Sequence, residues 1–417
     1  MKVLTNKIAA LLFVPIFWIL FLFITLLTIS FKLLQINALR SYFRKGKKLS
    51  VLFLEVVTED NAGYLYRSFK WQNILRQNNI NSAVLTLLKK DKSYDQLLSA
   101  PYLVNVLFIL TICKRCFQCL AALNANVVIV RRELLIYNDY GNLFMEKFLR
   151  SINENLILDF DDDISFAKRE PRSIVFYGKL LIELPDKFSK SLDFYNYFIP
   201  GSTYLKKEIL IPHSHIHEKN ILTLPTLVDY NKFAPKVYDL TKKTITFGWS
   251  GIPGNFHNLP VILDALNKLS STYEFDFVII SRYPFRYDTK FEMRFIKYDV
   301  NKTMEQLHHI DVGVMPLIDN KESRGKCGFK LIQYMGCGIV SIASAITVNN
   351  DIVDDKINGF LVYNETEWLQ KLEAIIHLKK QFSEIGKRAF EKISTNYSFD
   401  TYTNQFIEFI KFVDQSN

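Results

Sequence analysis

The chain is short of cysteine: its 417 residues include five, an odd number scattered along the length. That excludes a disulfide framework and suits a reducing compartment. Acidic residues are missing altogether from the first 50 positions, which carry Lys2, Lys7, Lys32, Arg40, Arg44, Lys45, Lys47 and Lys48. The whole chain has 52 Lys+Arg against 42 Asp+Glu, a net charge of +10, so the rest of the chain holds 44 against 42. A body so near neutrality lacks the basic face that a nucleic-acid binder carries on its folded domain. No low-complexity tail and no internal repeat are evident, and 49% hydrophobic against 23% charged excludes intrinsic disorder. The length is that of two ordinary domains.

Charge of either sign is also absent between Lys7 and Lys32. As a helix, Ile8–Phe31 spans roughly 36 Å, enough to cross a bilayer with some tilt. A cleaved signal peptide has an apolar region of about 7–15 residues followed by a small-residue cleavage site; here Phe31-Lys-Leu-Leu34 follows instead. Six Lys/Arg lie after the span and two before it, so the positive-inside rule puts the body in the cytoplasm. Residues 1–48 therefore read as a single-pass membrane anchor, helix about 8–31, with a basic juxtamembrane segment. The alternative is a helix lying in the membrane face, kinked at Pro15. A second apolar run, Tyr102–Cys113, is too short to span and reads as a core helix or as a membrane-facing one.

From Ser50 onward, short apolar β-branched runs alternate with helical patterns, which predicts βα units around parallel sheets. Strands are expected at Val51–Val57, Ala83–Leu87, Val127–Val130, Leu156–Phe160, Ile174–Tyr177 and Tyr195–Ile199. They resume at Ile221–Leu224, Thr244–Trp249, Phe275–Ile280, Phe295–Tyr298, Asp311–Pro316 and Ile339–Ala343. A Pro-containing stretch, Leu224-Pro225 to Ala234-Pro235, places a domain boundary near residue 236. The fold class is α/β: two Rossmann-like doubly wound domains, 49–236 and 237–395, then a C-terminal helix at 396–417. Such domains bind ligands at the carboxyl ends of their strands, so the site is expected in a cleft between them.

The densest chemistry lies in Glu322-Ser-Arg-Gly-Lys-Cys-Gly-Phe-Lys-Leu-Ile-Gln-Tyr-Met-Gly-Cys-Gly338. A helix from near Lys326 to Gly336 puts Lys326, Lys330 and Gln333 on one face and Phe329, Ile332 and Met335 toward the sheet. A helix N-terminus, Gly325 and Gly328 for close approach, and Arg324, Lys326 and Lys330 around them are what a diphosphate needs. The competing reading is a solvated charged face.

The segment resembles the donor-binding segment of the retaining glycosyltransferases of the two-Rossmann (GT-B) architecture, specifically glycosyltransferase family 4. In that family an acid-x7-acid motif opens a helix ending in Met-Ala-x-Gly before an apolar strand. Met335-Gly-Cys-Gly338 followed by Ile339-Val-Ser-Ile-Ala343 matches that end. Phe247-Gly-Trp-Ser-Gly251 is similar to the family's glycine-rich opening of the C-terminal domain, and Leu224-Pro-Thr-Leu-Val-Asp229 to its interdomain segment. Val348-Asn-Asn-Asp-Ile-Val353 with Asn358-Gly-Phe-Leu361 resembles the donor-side loop and the element after it, and Leu158-Asp-Phe-Asp-Asp-Asp163 a strand-end Asp-x-Asp-Asp found in a subset of these enzymes. Aligned on Met335, the family's two acids fall on Gly325 and Gln333, so neither carboxylate is present. Gln333 keeps an amide oxygen that can accept from a ribose hydroxyl.

The resemblance implies transfer of a glycosyl unit from a nucleotide diphosphate sugar with retention, without metal or other cofactor. It implies donor contacts at Gly248, Ser250, Gly251, Arg324, Lys326, Gly328, Lys330, Gln333 and Asn349, and catalytic roles for Asp161, Asp162 and Lys330. The loop Asn61–Arg67 is expected on the acceptor side, Gly63 allowing close approach and Arg67 meeting an anionic acceptor or the donor phosphates. The membrane end makes a lipid-linked saccharide the expected acceptor and membrane lipid a partner, in surface polysaccharide or glycolipid biosynthesis, with no nucleic acid involved. The alternatives are a non-catalytic membrane-tethered scaffold that binds nucleotide sugars, and a sugar-nucleotide epimerase of the same architecture. Two decoys are set aside. His213-x-His215-x-His217 reads as a surface strand, because no carboxylate or Cys cluster accompanies it. Cys113-x-x-Cys116-x-x-Cys119 continues an apolar helical run without a fourth ligand nearby.

Overall fold

Parallel strands buried on both faces read as unbroken apolar runs, and that is how most of these strands form. The structure, a computed structural model, describes residues 2–56, 61–88, 101–135, 143–165, 187–229 and 232–416, without the side chains of 2–14 and 101–108. The strand expected at Ile174–Tyr177 lies outside the described residues. The chain divides into two compact units, one of Met1–Gly201, Lys206–Leu224 and Thr403–Asn417, the other of Ser202–Leu205 and Pro225–Tyr402.

In the first unit, β1 (Ser50–Glu55), β2 (Asn81–Thr86), β3 (Val127–Arg131), β4 (Leu156–Phe160) and β5 (Tyr197–Pro200) form a parallel sheet in the order β2-β1-β3-β4-β5. The run Ile221–Leu224 supplies only an isolated bridge, Ile221 to Phe198. Its helices include α1 (Lys2–Leu33), α2 (Ile36–Arg44), α3 (Lys70–Gln77), α4 (Pro101–Leu120) and α5 (Phe144–Ile152). Within α1, Pro15–Leu33 is long and apolar enough to cross a membrane, with a mean hydropathy of 2.3. It does not stand away from the body. Phe17 and Phe21 meet Phe144 edge to face, at 6.1 and 5.5 Å between ring centroids, and Phe31 meets Phe148 at 5.7 Å. The run Tyr102–Cys113 lies inside α4, where Ile112 and Cys119 are buried while Leu110 and Phe117 are exposed.

In the second unit, β6 (Ile245–Ser250), β7 (Phe275–Ser281), β8 (Met293–Lys297), β9 (Val312–Met315), β10 (Val340–Ser344) and β11 (Phe360–Val362) run parallel in the order β11-β10-β9-β6-β7-β8. One large apolar cluster joins Phe247, Phe277, Val312 and Ile342 of the sheet to Leu263 and Leu266 of α6 (Pro260–Leu269). The helices that follow are α7 (Lys321–Arg324), α8 (Phe329–Gly336), α9 (Val348–Ile352), α10 (Glu367–His377), α11 (Phe382–Asn396) and α12 (Phe399–Gln415).

The division falls at Leu224/Pro225, ahead of residue 236, because the Pro-containing stretch already pairs with the second unit. Val228 bridges to Ser398, and the Lys236 N–H donates to Cys337 O at 2.8 Å. The last helix does not stay with its predecessor either. From Thr403 on it belongs to the first unit, where Phe406 lies on Trp71 (4.1 Å between centroids) and Asn126 Nδ2 donates to Asp414 Oδ1 at 2.8 Å.

Strand order reverses between β1 and β3 in the first sheet and between β6 and β9 in the second. Those two switch points are where a doubly wound sheet opens a crevice at its carboxyl edge.

Candidate functional site

The chemistry singled out in the sequence gathers at these two switch points, one in each unit. In the second unit, β6 ends on Trp249 and Ser250, with Gly251 next. The Ser250 N–H donates to Tyr334 Oη at 2.7 Å, and burial pushes the Tyr334 phenol up, keeping it neutral. Lys330 Nζ sits 4.5 Å from the Trp249 ring centroid, within cation–π range. A Cβ placed on Gly251 would stand 2.7 Å from Lys330 Cε and 2.6 Å from the Trp249 ring, so Gly251, Trp249 and Lys330 form one tight group.

The helix does not begin near Lys326. Asn320 caps the single turn α7, its side chain accepting from the Ser323 N–H at 2.9 Å, and the chain then turns through Gly325–Gly328 before α8 starts. Gly328 makes that turn with φ +67°, and an added Cβ would stand 2.4 Å from Ile352 Cδ1. Lys326 is therefore off the helix that carries Lys330 and Gln333, and pairs with Glu322 at 3.2 Å. Nor has α8 a polar and an apolar stripe: every residue from Leu331 to Gly336 is buried, Gln333 among them. A Gly328→Ala chain is expected to lose roughly 2–4 kcal/mol from the left-handed backbone and the overpacking together. Denaturant titration reads this, and a loss under about 1 kcal/mol would show that the turn can relax.

Asn349, in α9, faces the same turn. It is fully buried, its Nδ2 donates to Ser344 O at 2.9 Å, and its Oδ1 has no hydrogen-bond partner among the described residues. That oxygen lies 3.5 Å from where a Gly328 Cβ would be. An orphan buried acceptor is costly unless something donates to it. Arg324 is placed differently: it is exposed and forks onto Asp319 at 2.6 and 2.9 Å, while its carbonyl accepts from Thr347 Oγ1 at 2.8 Å. Gly248 sits inside β6, where Ile310 takes up the space its side chain would need.

At the first unit's switch point the side chains are charged and buried. Glu55 ends β1, Arg131 ends β3, and Asp159 lies in β4. Arg67, expected to meet phosphates or an acceptor, is buried and pairs with Asp159, its Nε 3.2 Å from Oδ2; it also donates to Leu224 O. Arg131 faces Glu55 at 3.6 Å and Asp161 at 3.1 Å. Arg132 has φ +64°, a left-handed backbone that sends its side chain to the same acid: it donates to Asp161 Oδ1 at 2.7 Å and Asp162 Oδ2 at 2.9 Å. Burial opposes the charge on Asp161, but Arg132 and then Arg131 outweigh it and hold the carboxyl well below the usual carboxylate range. Asp161 is thus a fixed anion at neutral pH, unsuited to carrying a proton. Glu55 is shifted the other way, because burial raises it more than Arg131 and the Ser68 hydroxyl lower it. Gly63 is packed on this cluster: a Cβ there would fall 2.1 Å from Arg131 Nη2.

Sequence reasoning missed Trp249, Tyr334, Glu55, Arg131 and Arg132. The signals were thin: Lys330 and Tyr334 stand one helical turn apart, and Arg131-Arg132 directly follows a strand. The histidines lie in a turn and not on a strand, with His213 and His215 rings 5.7 Å apart. Among the described residues no group of three His, Cys, Asp or Glu is arranged to hold a metal ion.

Residues 243–378 match the family described as Glycosyl transferases group 1. No curated protein matches the chain. Among solved structures, a glycosyltransferase from Rickettsia africae is 13% identical with a TM-score of 0.60, over 89% of this chain and 100% of that one. Sucrose-phosphate synthase from Thermosynechococcus elongatus is 12% identical with a TM-score of 0.62, over 89% and 100%. Anabaena HepE in complex with UDP and glucose is 13% identical with a TM-score of 0.56, over 87% and 99%. At such identities the likeness is one of fold. The second unit thus carries a glycosyl transferases group 1 domain, in a chain whose two parallel α/β sheets share the GT-B fold of known glycosyltransferases.

Proposed function

We propose that the chain is a glycosyltransferase that takes its sugar from a nucleotide diphosphate donor held at the β6/β9 switch point, and passes it with retention to a lipid-linked saccharide. The observation that carries the donor half is the pairing of the Gly328 turn with Asn349 Oδ1 and Lys330. A helix N-terminus attracts a diphosphate. Asn349 Oδ1, as an acceptor, suits a donor hydroxyl and not a phosphate. Charge develops on the leaving diphosphate, and Lys330, already desolvated along its stem by Trp249 and Gly251, is the cation placed to meet it. Arg324 and Lys326, at the same turn, pair with Asp319 and Glu322. The reading needs no metal. That HepE was solved with UDP and glucose supports the ligand class.

The retaining outcome rests on the family resemblance. The acceptor rests on α1: a membrane-bound enzyme, its body on the cytoplasmic side, meets lipid-linked substrates at high effective concentration, as surface polysaccharide or glycolipid assembly would require. The absence of both family acids, at Gly325 and Gln333, favours the second reading, a scaffold that binds donor without turnover.

The full chain in mild detergent should be stabilised selectively by one of the uridine, guanosine, adenosine or cytidine diphosphates, by about 2.7 kcal/mol at a hundredfold excess over Kd. Lys330→Met, which keeps the stem over Trp249, should weaken that binding tenfold or more. A shift without product, with chelator present or absent, would leave the scaffold. No shift at all in folded protein would overturn both readings.

A further inference from the structure

We propose that α1 and α2 lie along the surface of an anionic membrane, sandwiched between the first unit and one leaflet, with both ends of α1 on the same side. The proposal refines the membrane part of the function above and is independent of sugar transfer.

One stripe of α1 belongs to the protein. Phe17 and Ile24 are 0% and 1% exposed, and Thr28 is buried beside them, its hydroxyl donating to Ile24 O at 2.8 Å. Phe17, Phe21, Ile24, Thr28 and Phe31 recur three or four residues apart, so they line one side of the helix. The opposite side is also apolar but uncovered: Ile19 is 65% exposed, Leu26 54% and Leu33 79%. A helix apolar all round needs apolar surroundings all round. From Pro15 to Leu33 the protein buries Phe17, Ile24 and Thr28 and leaves most of the other positions exposed, and lipid suits that uncovered remainder.

A perpendicular span does not fit this packing. From Phe17 to Phe31 the stripe runs about 21 Å along the helix, most of a hydrocarbon core about 30 Å thick. The helix would carry α5 into the hydrocarbon with it. On α5, Lys147 is exposed and Arg150 half-exposed, on the same nine residues that bring Phe144 and Phe148 to α1. Charges at hydrocarbon depth are strongly disfavoured. Lying flat, α1 keeps its outer face in lipid and leaves those charges in water.

The segment that follows has the composition of an interface. Leu39, Tyr42 and Phe43 of α2 are exposed, while Arg40 and Arg44 pin the helix to the body through Ala125 O at 2.7 Å and Asn126 Oδ1 at 2.8 Å. Lys32, Lys45, Lys47 and Lys48 are exposed beside this apolar surface, and the first 50 residues contain no acid to offset them. Aromatic residues at headgroup level with lysines around them fit an anionic lipid surface.

The test uses the full chain with a protease site ahead of Met1 or after Gly46, in membrane vesicles whose lumen is closed to protease. Cutting at both sites from the same side is expected; cutting from opposite sides would establish a span and overturn the proposal. In parallel, the protein is floated with vesicles of phosphatidylcholine, with and without phosphatidylglycerol. Phe23→Gln/Leu26→Gln, two exposed positions, and Lys45→Gln/Lys47→Gln/Lys48→Gln should each lower binding to the anionic vesicles at least tenfold while circular dichroism stays unchanged. Unaltered binding in both would equally overturn the proposal. Transfer to a water-soluble acceptor should be unaffected by these substitutions, which keeps the result separate from the fate of the enzymatic reading.

Discussion

An Asp161→Asn chain is expected to fold poorly or not at all. The amide has nearly the shape of the carboxylate, so the loss is one of charge, and it falls on two arginines at once. The Arg131 side chain is 3% exposed and that of Arg132 26%, so neither is fully hydrated. Arg131 would keep Glu55 at 3.6 Å, and Arg132 would keep Asp162 at 2.9 Å, while the acid between them is gone. Removing one member of a buried ion pair costs about 3–5 kcal/mol, a large part of the 5–15 kcal/mol that holds a typical protein folded. Equilibrium denaturation of the wild-type and variant chains would measure it, and a loss below about 1 kcal/mol would mean that water reaches the cluster.

The pH dependence gives the same pair a second signature. Asp161 has a folded-state pKa below its unfolded value, so it binds protons more readily when unfolded. Its contribution is complete above the unfolded pKa of about 4 and is lost as pH falls through the depressed folded value. The gap between wild type and Asp161→Asn should be flat from about pH 5 to 8 and close only in stronger acid. Glu55 has the opposite sign: its raised folded-state pKa makes its contribution greatest at low pH and diminishing as pH rises.

Removing residues 1–33 is expected to ruin the fold of the body. Phe144 and Phe148 are buried against α1, and each buried phenylalanine contributes about 1.5–3 kcal/mol. Exposing both forfeits about 3–6 kcal/mol and leaves an apolar patch, so aggregation should accompany the loss. Soluble yield, gel filtration and calorimetry of residues 34–417 would test this. A monomer with unchanged Tm would show that α1 is dispensable to the fold. Phe144→Gln/Phe148→Gln in the shortened chain should recover solubility without recovering Tm.

The strands were legible because a parallel strand covered on both faces needs an apolar residue at nearly every position. Val127–Arg131 and Val340–Ser344 appear in the sequence almost as they stand in the sheets. Ile221–Leu224 misled for the same reason: an apolar run before a proline can lie along an edge and make one bridge. The helical period suggests a start near Lys326 because it runs on across Gly328, and polarity carries no mark of the left-handed turn there. The packing of α1 was invisible in principle. When every face of a helix is apolar, no periodicity tells protein from lipid. Arg131 and Arg132 look like a solvated pair in the sequence; the burial of Arg131 and the pairing of both depend on acids from β1 and from the end of β4, brought together only by the sheet order.

The return of the last helix to the first unit sets an order of events during synthesis. Domains tend to fold as they emerge, N-terminal first. Here Trp71 waits for Phe406 and Asn126 for Asp414, so the first unit cannot close until the whole second unit has left the ribosome. Meanwhile α1 emerges ahead of both sheets. On the membrane placement proposed above, the nascent chain would engage the bilayer long before its first unit is complete, and a message cut short before Thr403 would leave an unfinished protein there.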